Sequence, residues 1–417
     1  MNYKKIKLTQ LIKTSLITLP IVLTSSAFAS NDALDDRIQK LENLVIELKN
    51  TNEKAKESKS KHTYKFGGFI KATASFSDYS DGDIGAGSAL RDFYIPAGIP
   101  VGGTSESQDF DFSAKETRIN FKSKHKLDNG SVLTTTIEMD FLLPPGGNER
   151  VSNSYNPRLR HAFFTYDNWL FGQTWSTFQD VGALPESVDF LAASDGIVFE
   201  RQPMVRYTSG AWQLAMENPE TTVTPYQGGG RIVADDNSTP DFILRYNHKA
   251  DWGHISVAAL ARQLSYNNGS NSETTSSTGI SLTGKFKAGE KDDFKFNIAS
   301  GSGMGRYVGL NTANGAVVNA SGGLDAIDSV LSAIAYRHFW SNSIRSSFIL
   351  SSMDIDNDTN LTGSSVTSSV NSFQINLMYS PVPKMTIGAG YLSANRELEN
   401  GNDGDLNRLI FSAKYAF

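Results

Sequence analysis

Residues 157–178 read PRLRHAFFTYDNWLFGQTWSTF, two short segments on either side of Asp167-Asn168. In the first, Leu159 and Phe163 alternate with Arg158, Arg160 and Ala162. In the second, Gln173 and Trp175 alternate with Gly172 and Thr174. Successive side chains of a strand point to opposite faces, and Asp-Asn suits a two-residue turn. The stretch therefore predicts a hairpin with Arg158 and Arg160 on one face and Leu159 and Phe163 on the other. Two guanidiniums on one strand face are costly unless that face meets water, carboxylates or an anion. The expectation is a face that looks into a water-filled pore.

The same period-two pattern runs from Tyr64 to Phe417. Tyr64, Phe66 and Ile70 oppose Lys65, Lys71 and Thr73; Ile119 and Phe121 oppose Glu116, Arg118 and Lys122. Leu133, Ile137 and Met139 oppose Thr134, Thr136, Glu138 and Asp140, and Leu409, Phe411 and Tyr415 oppose Arg408 and Lys414. Soluble β-sandwiches also alternate, so three further features decide the reading. The segments run about 9–12 residues, the length a tilted strand needs to cross a bilayer. Aromatics gather near the segment ends, among them Tyr64, Phe66, Tyr166, Trp169, Trp212, Trp252, Phe339, Trp340, Tyr379, Tyr415 and Phe417, the placement of an interfacial girdle. The connections alternate in length. Short turns such as Asp167-Asn168, Ser209-Gly210 and Ser341-Asn342 separate long polar loops at 78–109, 142–156, 177–196, 218–239, 264–276, 300–326, 354–368 and 395–405. The predicted fold is all-β, a transmembrane antiparallel β-barrel of about 16 strands with short turns on the periplasmic side. A short N-terminal coiled-coil helix precedes it.

Composition agrees. Only 39% of the 417 residues are hydrophobic, and they occur as alternating singletons rather than blocks. The chain has no Cys, which excludes thiolate chemistry, disulfides and Cys-ligated metals. Its net charge of −5 speaks against general nucleic-acid binding. Lys4, Lys5, Lys7 and Lys13 precede an apolar run, Leu16 to Leu23, and then Ala27-Phe28-Ala29, the pattern of a cleaved secretory signal peptide over 1–29. Cleavage takes the net charge to −9, because four lysines leave. Leu34, Ile38, Leu41, Val45 and Leu48 then form an a/d heptad seam, so 30–50 reads as a periplasmic coiled coil or as an amphipathic helix packed on its own protein. The a/d residues nominally favour dimers. The Lys/Glu/Ser/Asn-rich residues 51–63 read as a solvated linker, and 64–417 as the barrel.

The precursor resembles the DcaP-like outer-membrane porins of Gram-negative bacteria. The likeness rests on GGFIKATASFS from Gly67, Ala97-Gly98-Ile99-Pro100, Glu116 to Phe121, RLRHAFFTYDNWLFGQTWSTF and Tyr336 to Trp340. It implies a homotrimer of 16-stranded barrels with a periplasmic coiled coil, overriding the dimer preference of the seam. It also implies passage of small anionic organic solutes, dicarboxylates above all. The terminal Phe417 with Tyr415 resembles the ending that bacterial barrels present to the barrel-assembly machinery, and outer-membrane lipid and lipopolysaccharide would surround the wall.

Around such a lumen, Arg118, Arg158, Arg160, Arg206, Arg245, Arg337, Arg345 and Arg408 fall on inward parities, with Lys71 and Lys122. A guanidinium is permanently charged and offers a planar fork that fits a carboxylate, so a ring of them would attract anions. The alternative is pairing with Glu116, Glu138, Asp140, Glu200 or Glu217 across the lumen, leaving a weakly selective general porin or a structural outer-membrane protein. Gln173 and Trp175 could line the same region; the Trp175 ring would either stack on an aromatic acid or belong to the girdle. The loop at 177–196, with Asp180, Glu186 and Asp189, is expected either to fold inward as a constriction or to remain external; Phe178, Phe190 and Leu191 favour the inward course. No enzyme set can be assembled. Asp354-x-Asp356-x-Asp358 lacks the Gly and closing Glu of a calcium loop, Gly228-Gly229-Gly230 lacks the Lys of a phosphate loop, and His161, His248, His254 and His338 lack metal-ligand spacing. No cofactor or metal is expected.

Overall fold

A computed structural model describes residues 31–143, 147–148, 152–267, 269 and 272–417. The stretch read as a signal peptide, 1–29, lies outside the described residues. One helix, α1 (Asn31–Lys61), precedes the strands. The stretch read as a linker, 51–63, is thus helical as far as Lys61, and strand begins at His62. Its Lys, Glu and Ala are good helix formers, and no Pro or Gly interrupts them.

Among the described residues, sixteen strands close into one antiparallel barrel. They are β1 (His62–Tyr79), β2 in two segments (Ser107–Ser113 and Arg118–Lys126), β3 (Val132–Asp140), β4 (Arg158–Tyr166), β5 (Trp169–Trp175), β6 (Arg201–Ser209), β7 (Trp212–Glu217), β8 (Asp241–Ala250), β9 (Gly253–Asn267), β10 (Ser272–Ala288), β11 (Asp292–Ser302), β12 (Asp328–Phe339), β13 (Ile344–Asp356), β14 (Thr367–Tyr379), β15 (Met385–Leu398) and β16 (Asp403–Ala416). Each strand pairs with the next, and β1 pairs with β16 from Phe69↔Ala416 to Tyr79↔Leu406, which removes any free sheet edge. Both halves of β2 lie on β1. The break between them, 114–117, lets Glu116 turn inward.

Strand length departs from the expected uniformity. β7 has 6 residues, whereas β1 has 18 and β10 has 17. The long strands absorb what reads as loop, so the connection expected at 264–276 shrinks to 268–271 and that at 395–405 to 399–402.

Tyr64, Phe66, Trp169, Trp212, Trp340, Tyr415 and Phe417 are exposed on the outer surface, as a girdle requires. Phe339 is an exception. It shares its parity with Arg337, whose guanidinium covers its ring at 5.2 Å, so it faces inward. Three loops pack inside the wall. The first, between β1 and β2, buries Leu90, Phe93, Tyr94 and Ile99, and the third, between β5 and β6, buries Phe178, Leu191 and Ile197. The one between β11 and β12 buries Met304, Tyr307 and Val308 beside Phe178.

Candidate functional site

The geometry of the 157–178 hairpin turns on one irregularity. β3 and β4 run in register as far as Glu138↔His161, but the next pair is Met139↔Leu159, so Arg160 is an extra residue, a β-bulge. A bulge lets two consecutive side chains share a face. Arg160 and His161 are both buried inward. Beyond it the alternation flips: Ala162 pairs with the outward Ile137, and Phe163 pairs with the inward Thr136. The expected grouping of Phe163 with Leu159, and of Ala162 with the arginines, is therefore corrected. Strict period-two counting cannot survive an inserted residue. Opposite the bulge stands Gly172 (φ +115°), where a Cβ would lie 2.3 Å from the Ala162 carbonyl oxygen.

Gln173 pairs with Ala162 and Pro203 and so stands with the outward set rather than in the lumen. Its amide donates to the carbonyl oxygens of Leu159 (3.3 Å) and Arg160 (3.4 Å), which the bulge has taken out of the ladder. Trp175, at the end of β5, packs edge-on against His161 and lies under two guanidiniums, Arg201 at 4.6 Å and Arg160 at 5.7 Å.

These residues belong to one charged patch on the wall from β2 to β6. Arg158 holds Asp140 with a two-pronged fork, Nε to Oδ1 and Nη2 to Oδ2, both 2.9 Å. Arg160 bridges Glu138 (3.0 Å) and Asp140 (2.9 Å), and Arg118 Nε approaches Glu138 only to 3.5 Å. Arg201 completes the set, stacked on Trp175 and Phe199. Four guanidiniums thus face Glu138 and Asp140, with Glu200 next to Arg201 in the chain and Glu116 held by Lys71 beyond Arg118, so positive charge stays in excess. Two donors in the patch, Arg118 Nε and Arg201 Nη1, are buried with no hydrogen-bond acceptor.

The third loop explains the other cations. From Thr177 it crosses the inner wall and is pinned strand by strand. Asp180 accepts from Arg245 (3.1 Å), His254 (2.7 Å) and Thr283 (3.0 Å). The Ala183 carbonyl accepts from Asn297 and the Leu184 carbonyl from Lys295. Glu186 is gripped by Arg345 (2.7 Å) and Arg337 (2.9 Å). Burial alone would raise the Glu186 pKa, but these hydrogen bonds outweigh it and hold the carboxyl at about 2. Val188 sits against Gly388 and Gly390, where a Cβ would come within 2.4 and 2.5 Å of it, and its carbonyl accepts from Lys71 (2.8 Å). Asp189 accepts from the Tyr94 amide of the first loop (3.2 Å). On the return, Asp195 accepts from Ser351 (2.9 Å) and Ser372 (2.8 Å); burial without a cation beside it raises its pKa to about 6.

Arg245, Arg337, Arg345 and Lys71 therefore lie beneath the loop, tied to it, and are separated from the β2–β6 patch. Lys71 also pairs with Glu116 at 2.6 Å. Arg408 is buried under the first loop, donating to Ser77, Tyr79 and the Leu90 carbonyl. Arg206 donates to the Trp175 carbonyl at 3.5 Å. The loop is tied to the wall from β8 round to β1, whereas Arg118, Arg158 and Arg160 find their carboxylates on their own wall, where Arg118 and Arg158 are partly exposed and Arg160 is buried. Facing that wall are Phe190 of the third loop, 5.5 Å from the Arg160 guanidinium, and Phe93 of the first, whose ring is tilted against Phe190 at 4.8 Å.

Sequence reasoning missed Arg201 and the inward course of the first loop. Arg201 is the direct cross-strand partner of Trp175 but shares its parity with the outward Pro203, so alternation alone would have set it outside.

A family model described as DcaP outer membrane protein matches residues 2–417. Comparison with curated proteins finds no match. Among solved structures, the outer membrane channel DcaP of Acinetobacter baumannii superposes with a TM-score of 0.69 at 20% identity, covering 86% of this chain and 98% of that one. OmpT of Vibrio cholerae gives 0.52 at 11% identity over 86% and 98%. An anion-selective porin from Comamonas acidovorans gives 0.51 at 10% over 85% and 100%. With a closed sixteen-stranded barrel, a girdle, an inward third loop and a family match over almost its whole length, this chain belongs to the DcaP outer membrane protein family, a porin channel of the bacterial outer membrane.

Proposed function

We propose that the channel conducts small organic anions and favours dicarboxylates, which the β2–β6 patch orients. The observation that carries this reading is the excess of guanidinium over carboxylate on the β2–β6 wall, with Arg118 Nε and Arg201 Nη1 lacking a hydrogen-bond acceptor. In a confined, partly desolvated passage an excess of positive charge attracts anions, and two guanidiniums that are not fully engaged suit a ligand with a carboxylate at each end. The described anion selectivity of the Comamonas acidovorans porin is in keeping with it.

The fork from Arg158 to Asp140 favours a second reading, a weakly selective porin whose arginines are already neutralised. Reversal potentials in planar bilayers under a salt gradient separate the two. The first expects anion preference, a shift toward cations in Arg158→Ala/Arg160→Ala and in Arg201→Ala, and weaker dicarboxylate block of the current in both. Cation preference in the unmodified channel, or no change in either variant, overturns it.

We also propose a homotrimer joined in part through α1. The seam residues Ile38, Leu41, Val45 and Leu48 are all exposed on the single chain, and a Vibrio cholerae porin of the same fold is described in a trimer form.

A further inference from the structure

We propose that His62 and His125 form a binding site for a divalent transition-metal ion of the class imidazole favours (Zn2+, Ni2+ or Cu2+), on the outer surface of the barrel at its turn-bearing rim. The two residues are direct cross-strand partners at the beginning of the β1–β2 ladder, with ring centroids 4.9 Å apart. Their Nδ1 atoms face each other at 2.7 Å. At that distance one imidazole donates to the other, so a metal would take the place of the shared proton, which moves to the solvent-facing Nε2 of His62 and frees both Nδ1 lone pairs for the ion.

The surroundings accommodate the tautomer that a metal needs. His125 Nε2 lies 3.1 Å from Ser123 Oγ, and Ser123 Oγ is 2.6 Å from Thr135 Oγ1. With Nε2–H donating to Ser123, and Ser123 donating in turn to Thr135, the lone pair of His125 is left on Nδ1. Metal-bound histidines commonly use their other ring nitrogen in this way. The Tyr64 ring packs edge-on against His125 at 5.3 Å and holds its plane. His62 is exposed, so an ion reaches the pair from solvent.

Metal–nitrogen bonds of about 2.0–2.1 Å at a tetrahedral angle place the two nitrogens about 3.3 Å apart. The pair must therefore open by about half an ångström, which rotation of the exposed His62 provides. The nearby carboxylate of Asp128 is engaged by Lys61 at 3.0 Å, so water supplies the remaining positions. No cluster of three or more His, Cys, Asp or Glu suited to a metal occurs among the described residues, and the chain has no Cys, so little competes with the pair.

The test is a Cu2+ titration of the full mature chain without an affinity tag, read by electron paramagnetic resonance, with Zn2+ as competitor. The expected result is one tight equivalent per chain with two equatorial nitrogens, displaced by Zn2+. His62→Gln and His125→Gln should each reduce the signal to one nitrogen and weaken binding at least tenfold, and Ser123→Ala should weaken it by about tenfold. Retention of the folded barrel's gel mobility on unheated samples shows that each variant still folds. A one-nitrogen signal in the unmodified chain, or unchanged binding in both histidine variants, overturns the proposal.

Discussion

Glu186 is the point at which the third loop is held most strongly, and its neutral isostere should loosen that loop without disturbing the barrel. The carboxylate accepts from Arg345 through Nε and Nη2 and from Arg337 through Nη1, at 2.7–3.1 Å. A fall of its pKa from an ordinary 4.5 to about 2, at 1.36 kcal/mol per pH unit, corresponds to about 3 kcal/mol of docking free energy. About a quarter of the side chain is exposed, so solvent screening makes this an upper figure. Glu186→Gln keeps the shape and loses the charge, and should lower the docking equilibrium of this part of the loop by up to a few hundredfold. Arg337 retains Asp293, whereas Arg345 loses its carboxylate and keeps Ser380. In single-channel recordings at neutral pH the variant should show added current noise and a higher mean conductance. Because the docked pKa lies below the undocked one, the stabilisation is complete above about pH 4.5 and is lost as pH falls toward 2. The unmodified channel should therefore acquire the same noise on acidification over that range, and the variant should not change. Wild-type noise in the variant, or noise in the unmodified channel that grows on alkalinisation instead, would refute the reasoning.

Asp195 should respond with the opposite sign. Its pKa is raised to about 6 because it is buried with only hydroxyl donors, so docking takes up a proton and the loop is held better as pH falls from 7 to 5. Asp195→Asn, whose amide oxygen still accepts from Ser351 and Ser372, should give a quieter channel at pH 7.5 and remove the noise difference between pH 7.5 and 5 in the same recordings. Gln173→Leu removes the donor that satisfies the Leu159 and Arg160 carbonyls. It should cost about 1–3 kcal/mol in denaturant unfolding and reduce anion preference in reversal-potential measurements, because Arg160 is no longer fixed at the bulge.

Much of the architecture was legible because it is written in local periodicity. Lys71, Arg118 and Arg408 are on the inner face because they alternate with lipid-facing neighbours such as Ile70, Ile119 and Leu409, and no distant contact is needed to read that. The number of strands followed from loop lengths, which are also properties of the chain in order. The limits are equally specific. A single inserted residue at Arg160 reversed the faces of Ala162 and Phe163, and residues 51–61 proved helical although polarity alone suggested a linker.

Which carboxylate each arginine meets was decided only by the tertiary structure. Arg158 and Arg345 look alike as inward strand residues. One is held by Asp140 on the neighbouring strand, and the other by Glu186, 159 positions away in the chain. That sorting depends on where the third loop runs, and its course is set by contacts with strands from β8 round to β1. Alternation assigns a side chain to a face through its own backbone. The partner it meets on that face comes from another part of the chain, brought there by closure of the barrel.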